Sequence, residues 1–206
     1  STSYAVSLPG ANNYLMASGL GLGIGTGDYT IEMFTNITSY NPAGADMAVL
    51  FDARGVGTSS PEGPLFYVSP EAGHLRLYSN NSVVAEGTEA LPIPTSGWHH
   101  LAAVRESGAV TLYIDGVSVA TGSDSTNWIS SQALINAIEA DTSLGADMKV
   151  SGLRVSNVAR YSGSMFTAPN AAFTSDGSTA LLLLQGASLD GSLTAVGSAS
   201  MVAGPF

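Results

Sequence analysis

The chain has no cysteine and a single lysine, Lys149, among its 206 residues. Without thiols, disulfide staples and thiolate metal sites are excluded, so the fold rests on its core. Six bases face sixteen acids, a formal charge of −10. A surface this acidic repels phosphate backbones and anionic lipid, which argues against nucleic acid and membrane as partners. Simple solubility explains the charge as well. No apolar run is long enough to span a bilayer as a helix. The opening STSYAVSLPG lacks the basic start and unbroken apolar stretch of a secretory signal. It reads as a mature end after loss of an initiator Met, and removal of an upstream portion would leave the same start.

Helical spacing is equally scarce. Only SSQALINAIEAD (130–141) predicts a helix, from Leu134, Ile135 and Ile138, and NVARY allows a single turn. A doubly wound α/β fold needs several long amphipathic helices, so it is excluded. No composition break, Pro-rich linker or repeat divides the chain. The expectation is one domain over 1–206, with the small, apolar 192–206 either a docking arm or a last strand.

What is present is apolar material, 45 % of residues, arranged with a period of two. YTIEMFTNIT (29–38) puts Tyr29, Ile31, Met33 and Ile37 on one face and Phe34 on the other. VTLYIDGVSVATG (110–122) puts Val110, Leu112 and Ile114 on one side, then turns at Asp115-Gly116, a pair suited to a type I′ hairpin. About a dozen such short runs, separated by Gly, Pro, Asn, Asp and Ser, predict an all-β sandwich or barrel. The glycine run GLGLGIGTGD fails the spacing of both phosphate-binding motifs. It reads as an extended segment in which Leu20, Leu22 and Ile24 share a face and the glycines admit a close backbone neighbour.

The segment GWHHLAAVR (97–105) holds two of the three histidines. In a strand, adjacent histidines point to opposite faces and cannot grip one metal together, and His74 has no partner nearby in sequence. The expectation is that His100 sits with Trp98 on the covered face, hydrogen-bonded to a neighbour, and that His99 lies nearer solvent. Paired carboxylates for glycan hydrolysis are not evident. Glu139 and Asp141 share the right spacing but sit where the strand pattern is weakest, and Glu86 and Glu89 look like loop residues. Neither GTSSPEG nor SGS offers a serine a base nearby. Asp46, Asp52, Asp124, Asp147 and Asp176 lie in or beside turns, where they either cap backbone or contribute to a calcium site; no dedicated calcium loop is present. NIT (36–38) and NNS (80–82) match the glycosylation sequon, a pattern common by chance.

GDYTIEMF (27–34), SGWHHLAAVRESGAVTLYIDGVSVATG (96–122) and VSGLRVSNVARYSGSMFTAP (150–169), in that order, resemble the laminin-G-like, concanavalin A-like jelly-roll modules. The resemblance covers about 30–185, with 4–17 supplying first strands and STALLLLQ (178–185) a late core strand. It implies two stacked antiparallel sheets, one often glycan-binding in relatives, with rim loops that hold calcium in some. It assigns Trp98, His100, Asp115, Gly116, Arg154, Arg160 and Tyr161 to the framework. The Glu-x-Asp-x-x-Glu strand of the glycosidase branch is missing, so no catalytic residue and no required cofactor are expected.

Modules with this ARY…F-x-x-P ending look like those of bacteriophage structural proteins. The first functional expectation is therefore a non-enzymatic virion protein, a capsid-surface decoration or tail- or fibre-associated component, assembled in the host cytoplasm against other virion proteins or copies of itself, with glycan binding at the host or environmental surface as an added role. A carbohydrate-binding module or extracellular adhesin is the alternative, and a glycan-active enzyme the last choice. Trp128, in the polar DSTNWISS stretch, and Tyr40, Tyr78 and Tyr161 are the aromatic candidates for sugar stacking.

Overall fold

A computed structural model describes residues 3–40, 47–55, 62–69, 73–88 and 90–206. Its elements are strands: β1 (Tyr4–Pro9), β2 (Tyr14–Ala17), β3 (Tyr29–Ser39), β4 (Ala48–Asp52), β5 (Leu65–Ser69), β6 (His74–Ser79), β7 (Ser82–Glu86) and β8 (His99–Glu106). They continue as β9 (Ala109–Ile114), β10 (Val117–Ser123), β11 (Ala133–Ile135), β12 (Asp147–Ser156), β13 (Thr179–Leu183), β14 (Leu193–Val196) and β15 (Ser200–Ala203). One sheet runs β10-β9-β8-β3-β12-β1-β15, with β13 also on β12, and the other runs β14-β2-β11-β4-β5-β6-β7. Every pairing within both sheets is antiparallel. This is a two-sheet jelly-roll sandwich: the alternation predicts a sandwich or barrel, and the family resemblance implies the two stacked sheets.

The period of two decides what meets between the sheets. Tyr29, Ile31, Met33 and Ile37 of β3 and Val110, Leu112 and Ile114 of β9 all enter the main core. From the opposite sheet come Phe66 and Val68 of β5 and Leu75 and Leu77 of β6. Each such side chain taken out of water contributes about 1.5–3 kcal/mol. The β9–β10 hairpin turns at Asp115 and Gly116, with φ of 49° and 81°, as a type I′ turn requires. At one open side of the sandwich β10 lies against β7. There a Cβ on Gly122 would stand 1.7 Å from the Val84 carbonyl oxygen, so only glycine permits the approach.

Several expectations are corrected. No helix forms at 130–141: β11 occupies its middle, with Ile135 facing the interior and Leu134 the reverse face. Strand alternation and the pairing of β11 between β2 and β4 override the helical spacing. Nor does NVARY form a helical turn. In the glycine run, Leu22 and Ile24 do reach the core, but nothing stands within 4 Å of a Cβ built on Gly19, Gly21 or Gly23. Backbone conformation, not close packing, explains Gly19 and Gly23, whose φ angles are 69° and 63°. Segment 192–206 contributes one strand to each sheet, β14 beside β2 and β15 beside β1.

The β8 segment is corrected in its facing. Leu101 and Ala103 enter the sandwich interior, while His100, Ala102 and Val104 occupy the outer face of their sheet. Trp98 precedes the strand, half-buried and outside the core clusters. His100 is nevertheless only 2 % exposed, because the chain after β12 returns across that outer face as a strap. Thr30 Oγ1 donates to the Val158 carbonyl, Tyr113 Oη donates to the Gly163 carbonyl, and the Phe166 amide donates to the Gly116 carbonyl.

Candidate functional site

Under the strap lies a cluster with the ingredients of acid–base chemistry. Glu32 accepts hydrogen bonds from His100 Nε2 at 3.0 Å, Arg154 Nε at 2.8 Å and Tyr161 Oη at 2.7 Å. Burial pushes the Glu32 carboxyl up, but the His100 hydrogen bond and the Arg154 charge outweigh it and hold it below its ordinary value. Tyr161 is pushed well above a normal phenol, by burial first and then by the Glu32 charge. The rings of Phe34, Tyr161, Phe166 and Phe173 surround His100, and Arg154 lies 4.5 Å from the centre of Phe173. Glu32 has no exposed side-chain surface, and both its oxygens are committed. A polymeric substrate cannot reach it. The cluster fastens the strap to β3 and β8.

The other sequence-named framework residues hold neighbouring parts of the same face. Asp115 accepts from the His100 backbone amide at 2.8 Å and pairs with His99 Nδ1 at 2.6 Å, tying the hairpin back to β8. Arg160 grips Asp176 with both terminal nitrogens, at 2.9 and 2.7 Å. Tyr161 stacks flat on Phe166, with ring centres 3.7 Å apart, so its ring is not free for a sugar.

Trp128 is also corrected as a stacking residue. It is 3 % exposed and packs edge-on against Tyr29 and Phe51 in the main core. The polar letters around it concealed its inward direction: the Trp128 amide and carbonyl bond Gly25, which draws the ring between the sheets. Tyr40 is half-buried against the main core beside Gly73. Of the aromatic candidates, Tyr78 alone stands on the outer face of the seven-stranded sheet.

That face is built by the residues of β4–β7 that do not enter the core. Register aligns Val49, Tyr67, Arg76 and Glu86 in one row and Asp52, Leu65 and Tyr78 in the next. Val49, Leu65, Tyr67 and Ile138 form its apolar floor, with Tyr78 packed at its side. Arg76 Nε donates to Glu86 Oε1 at 2.8 Å, and the same oxygen accepts from Arg76 Nη2. Arg54 forms a two-point pair with Asp52, at 2.8 and 3.0 Å, with its guanidinium 5.8 Å from the Tyr78 ring centre. Burial pushes the Tyr67 phenol up, opposed by the adjacent Arg76. Glu86 remains 42 % exposed at the side chain and Arg76 27 %, so a ligand can reach this row. An aromatic ring flanked by hydrogen-bonding groups on a firm sheet is suited to a sugar, whose apolar face stacks while its hydroxyls bond.

Four aspartates serve as local caps. Asp52, Asp124, Asp141 and Asp176 each accept the backbone amide two residues on. Asp46 and Glu89 lie outside the described residues, as does most of GTSSPEG. Among the described residues no three acidic or histidine side chains converge on a common point. No described helix is long and apolar enough to cross a membrane.

Two stacked antiparallel sheets, one strapped on its outside and one offering a polar-aromatic face, define a lectin-type jelly roll. The chain belongs to the concanavalin A-like lectin/glucanases superfamily, whose laminin-G-type model matches residues 9–164. No curated protein sequence matches it. Among solved structures it is similar to a putative carbohydrate binding protein from Bacteroides ovatus (15 % identity, TM-score 0.64), covering 98 % of this chain and 60 % of that one. It is similar to a heptameric SAP-like pentraxin from Limulus polyphemus (13 % identity, TM-score 0.58, 98 % and 95 % covered). A third is domain 4 of an extracellular arabinanase from Geobacillus stearothermophilus, in complex with arabinotriose (19 % identity, TM-score 0.54, 81 % and 77 % covered). The chain thus spans less than two thirds of the Bacteroides protein's length.

Proposed function

We propose that this chain is a non-catalytic glycan-binding module whose binding surface is the outer face of the seven-stranded sheet, along Tyr78, Arg76 and Glu86. The observation that carries the reading is the reachable Arg76–Glu86 pair set beside the Tyr78 ring on one sheet face. The Bacteroides protein, described as a putative carbohydrate binding protein, and the arabinotriose-bound arabinanase domain lend support through their shared fold. The non-catalytic part rests on the Glu32–His100 cluster, the best-equipped for chemistry among the described residues, being sealed. A glycan array on the wild-type chain and on Tyr78→Ala tests it. Retention of glycans by wild type and weakened retention by the variant are expected; no retention by wild type overturns it.

A second reading is the phage virion subunit that the sequence suggested first. The comparisons give it no support. Its foothold is a group of exposed apolar side chains where β10 begins: Leu91 at 45 %, Val117 at 43 % and Met165 at 69 %. A free monomer by size-exclusion chromatography at high concentration counts against it.

A further inference from the structure

Glycan ligands divide by charge, and the basic residues of this protein bear on which kind it takes. It has five arginines and one lysine. Each arginine is already held by one carboxylate: Arg54 by Asp52, Arg76 by Glu86, Arg105 by Asp124, Arg154 by Glu32 and Arg160 by Asp176. The pairs are tight. Those of Arg54 and Arg160 are two-point, and those of Arg105 and Arg154 are buried. Lys149 lies on β12, in the other sheet, with its strand neighbours Met148 and Val150 in the core; it therefore points from the opposite outside of the sandwich.

Among the described residues the candidate face therefore carries no arginine or lysine without a carboxylate partner, and His74, on the same face, has its Nδ1 3.9 Å from Glu86 Oε1. Recognition of a carboxylate or sulfate calls for a guanidinium or ammonium free to bond it. Here, taking an anion would mean breaking an existing ion pair against a net charge of −10. What the face does offer suits hydroxyl groups. Both bonds from Arg76 to Glu86 fall on Oε1, leaving Oε2, among the described residues, as an acceptor on a half-exposed carboxylate beside the Tyr78 ring. A carboxylate oxygen accepts well from a sugar hydroxyl and repels a sugar acid.

Building on the glycan-binding reading, we propose that the ligand is an uncharged glycan and that the paired arginines exclude uronate-, sialate- and sulfate-bearing ones. The test is affinity electrophoresis and calorimetry of the full chain with two sets of probes. The neutral set is arabinan, galactan, mannan and mixed-linkage glucan; the anionic set is polygalacturonate, polysialate and heparin. Each is measured at low and near-physiological salt. Binding within the neutral set is expected, changing less than about twofold with salt because no charge pair forms with the ligand. No binding is expected in the anionic set. Glu86→Gln should weaken neutral binding by about tenfold, the size of a lost charge-assisted hydrogen bond. Glu86→Ala, checked for an unchanged melting curve, should do the same or more. Binding of an anionic glycan that falls steeply with salt overturns the exclusion while leaving a glycan-binding module. Failure to bind either set overturns both the selectivity and the function on which it rests.

Discussion

The Arg105 guanidinium lies 4.6 Å from the centre of the Tyr29 ring, between the two sheets at one end of the core. Its remaining contacts are all oxygens: Asp124 Oδ2 at 3.1 Å and the carbonyls of Gly25, Gly27 and Thr126. With 1 % of Arg105 exposed, removing it leaves the Asp124 charge buried with no cation opposite it, held only by the Thr126 amide and the Tyr29 hydroxyl. Arg105→Met should cost about 3–5 kcal/mol in urea unfolding. Adding Asp124→Asn should recover part of that loss. A single variant within about 1 kcal/mol of wild type contradicts the assignment.

The strap should make stability fall in acid. The Glu32 carboxyl titrates below its ordinary value of 4.5 in the folded protein. Its contribution is thus complete above the unfolded-state pKa and is lost as pH falls through the lower folded-state pKa. Urea midpoints measured from neutral pH downward should drop below about pH 4.5. In Glu32→Gln the slope in that window should be smaller, whatever the variant's absolute stability. Equal slopes in the two proteins would show that other carboxylates govern the acid limit.

Trp128 should matter to folding and not to sugar. Trp128→Phe leaves a gap beside Tyr29 and Phe51 and should cost about 1–3 kcal/mol. Calorimetric affinity of the folded variant for any glycan the wild type binds should be unchanged. A large affinity loss with full stability reverses this view.

Tyr78 should show the opposite behaviour. Its ring stands on the exposed face beside Arg54, packed at the side of the smaller apolar cluster. Tyr78→Ala should lower glycan affinity about tenfold, the worth of one aromatic stacking contact. The melting temperature should move only a few degrees, as expected for about 1 kcal/mol. Undiminished affinity removes the site from this face.

Gly122 is where the sheets close on one another. Gly122→Ala forces β10 away from the Val84 carbonyl and should destabilise by about 1–3 kcal/mol. Hydrogen exchange should quicken first in β7 and β10. A neutral substitution means that this side is looser than its geometry shows.

The strands and the hairpin were legible in the sequence because their causes are local. Alternation sorts Tyr29, Ile31 and Met33 from Glu32 and Phe34, and Asp115-Gly116 supplies the positive φ angles of its turn. The same alternation in HLRLY sets His74, Arg76 and Tyr78 apart from Leu75 and Leu77, a signal for the candidate face that is clear once β6 is known to have two sides. Local pattern misled at 130–141, where spacing imitated a helix, and at Trp128, where polar neighbours hid a core residue.

By itself, then, the sequence determined the all-β character, the jelly-roll resemblance, the acidity and the scarcity of cations. Tertiary structure alone decided the facing of each strand and the partner of each charge. Glu32 lies 68 positions from His100 and 122 from Arg154, and only sheet order brings them together under the strap. The physical reason is reach: a turn or an alternating strand is specified by residues a few positions apart. A buried ion pair depends on which distant strands become neighbours, and that is settled by the packing of the whole core.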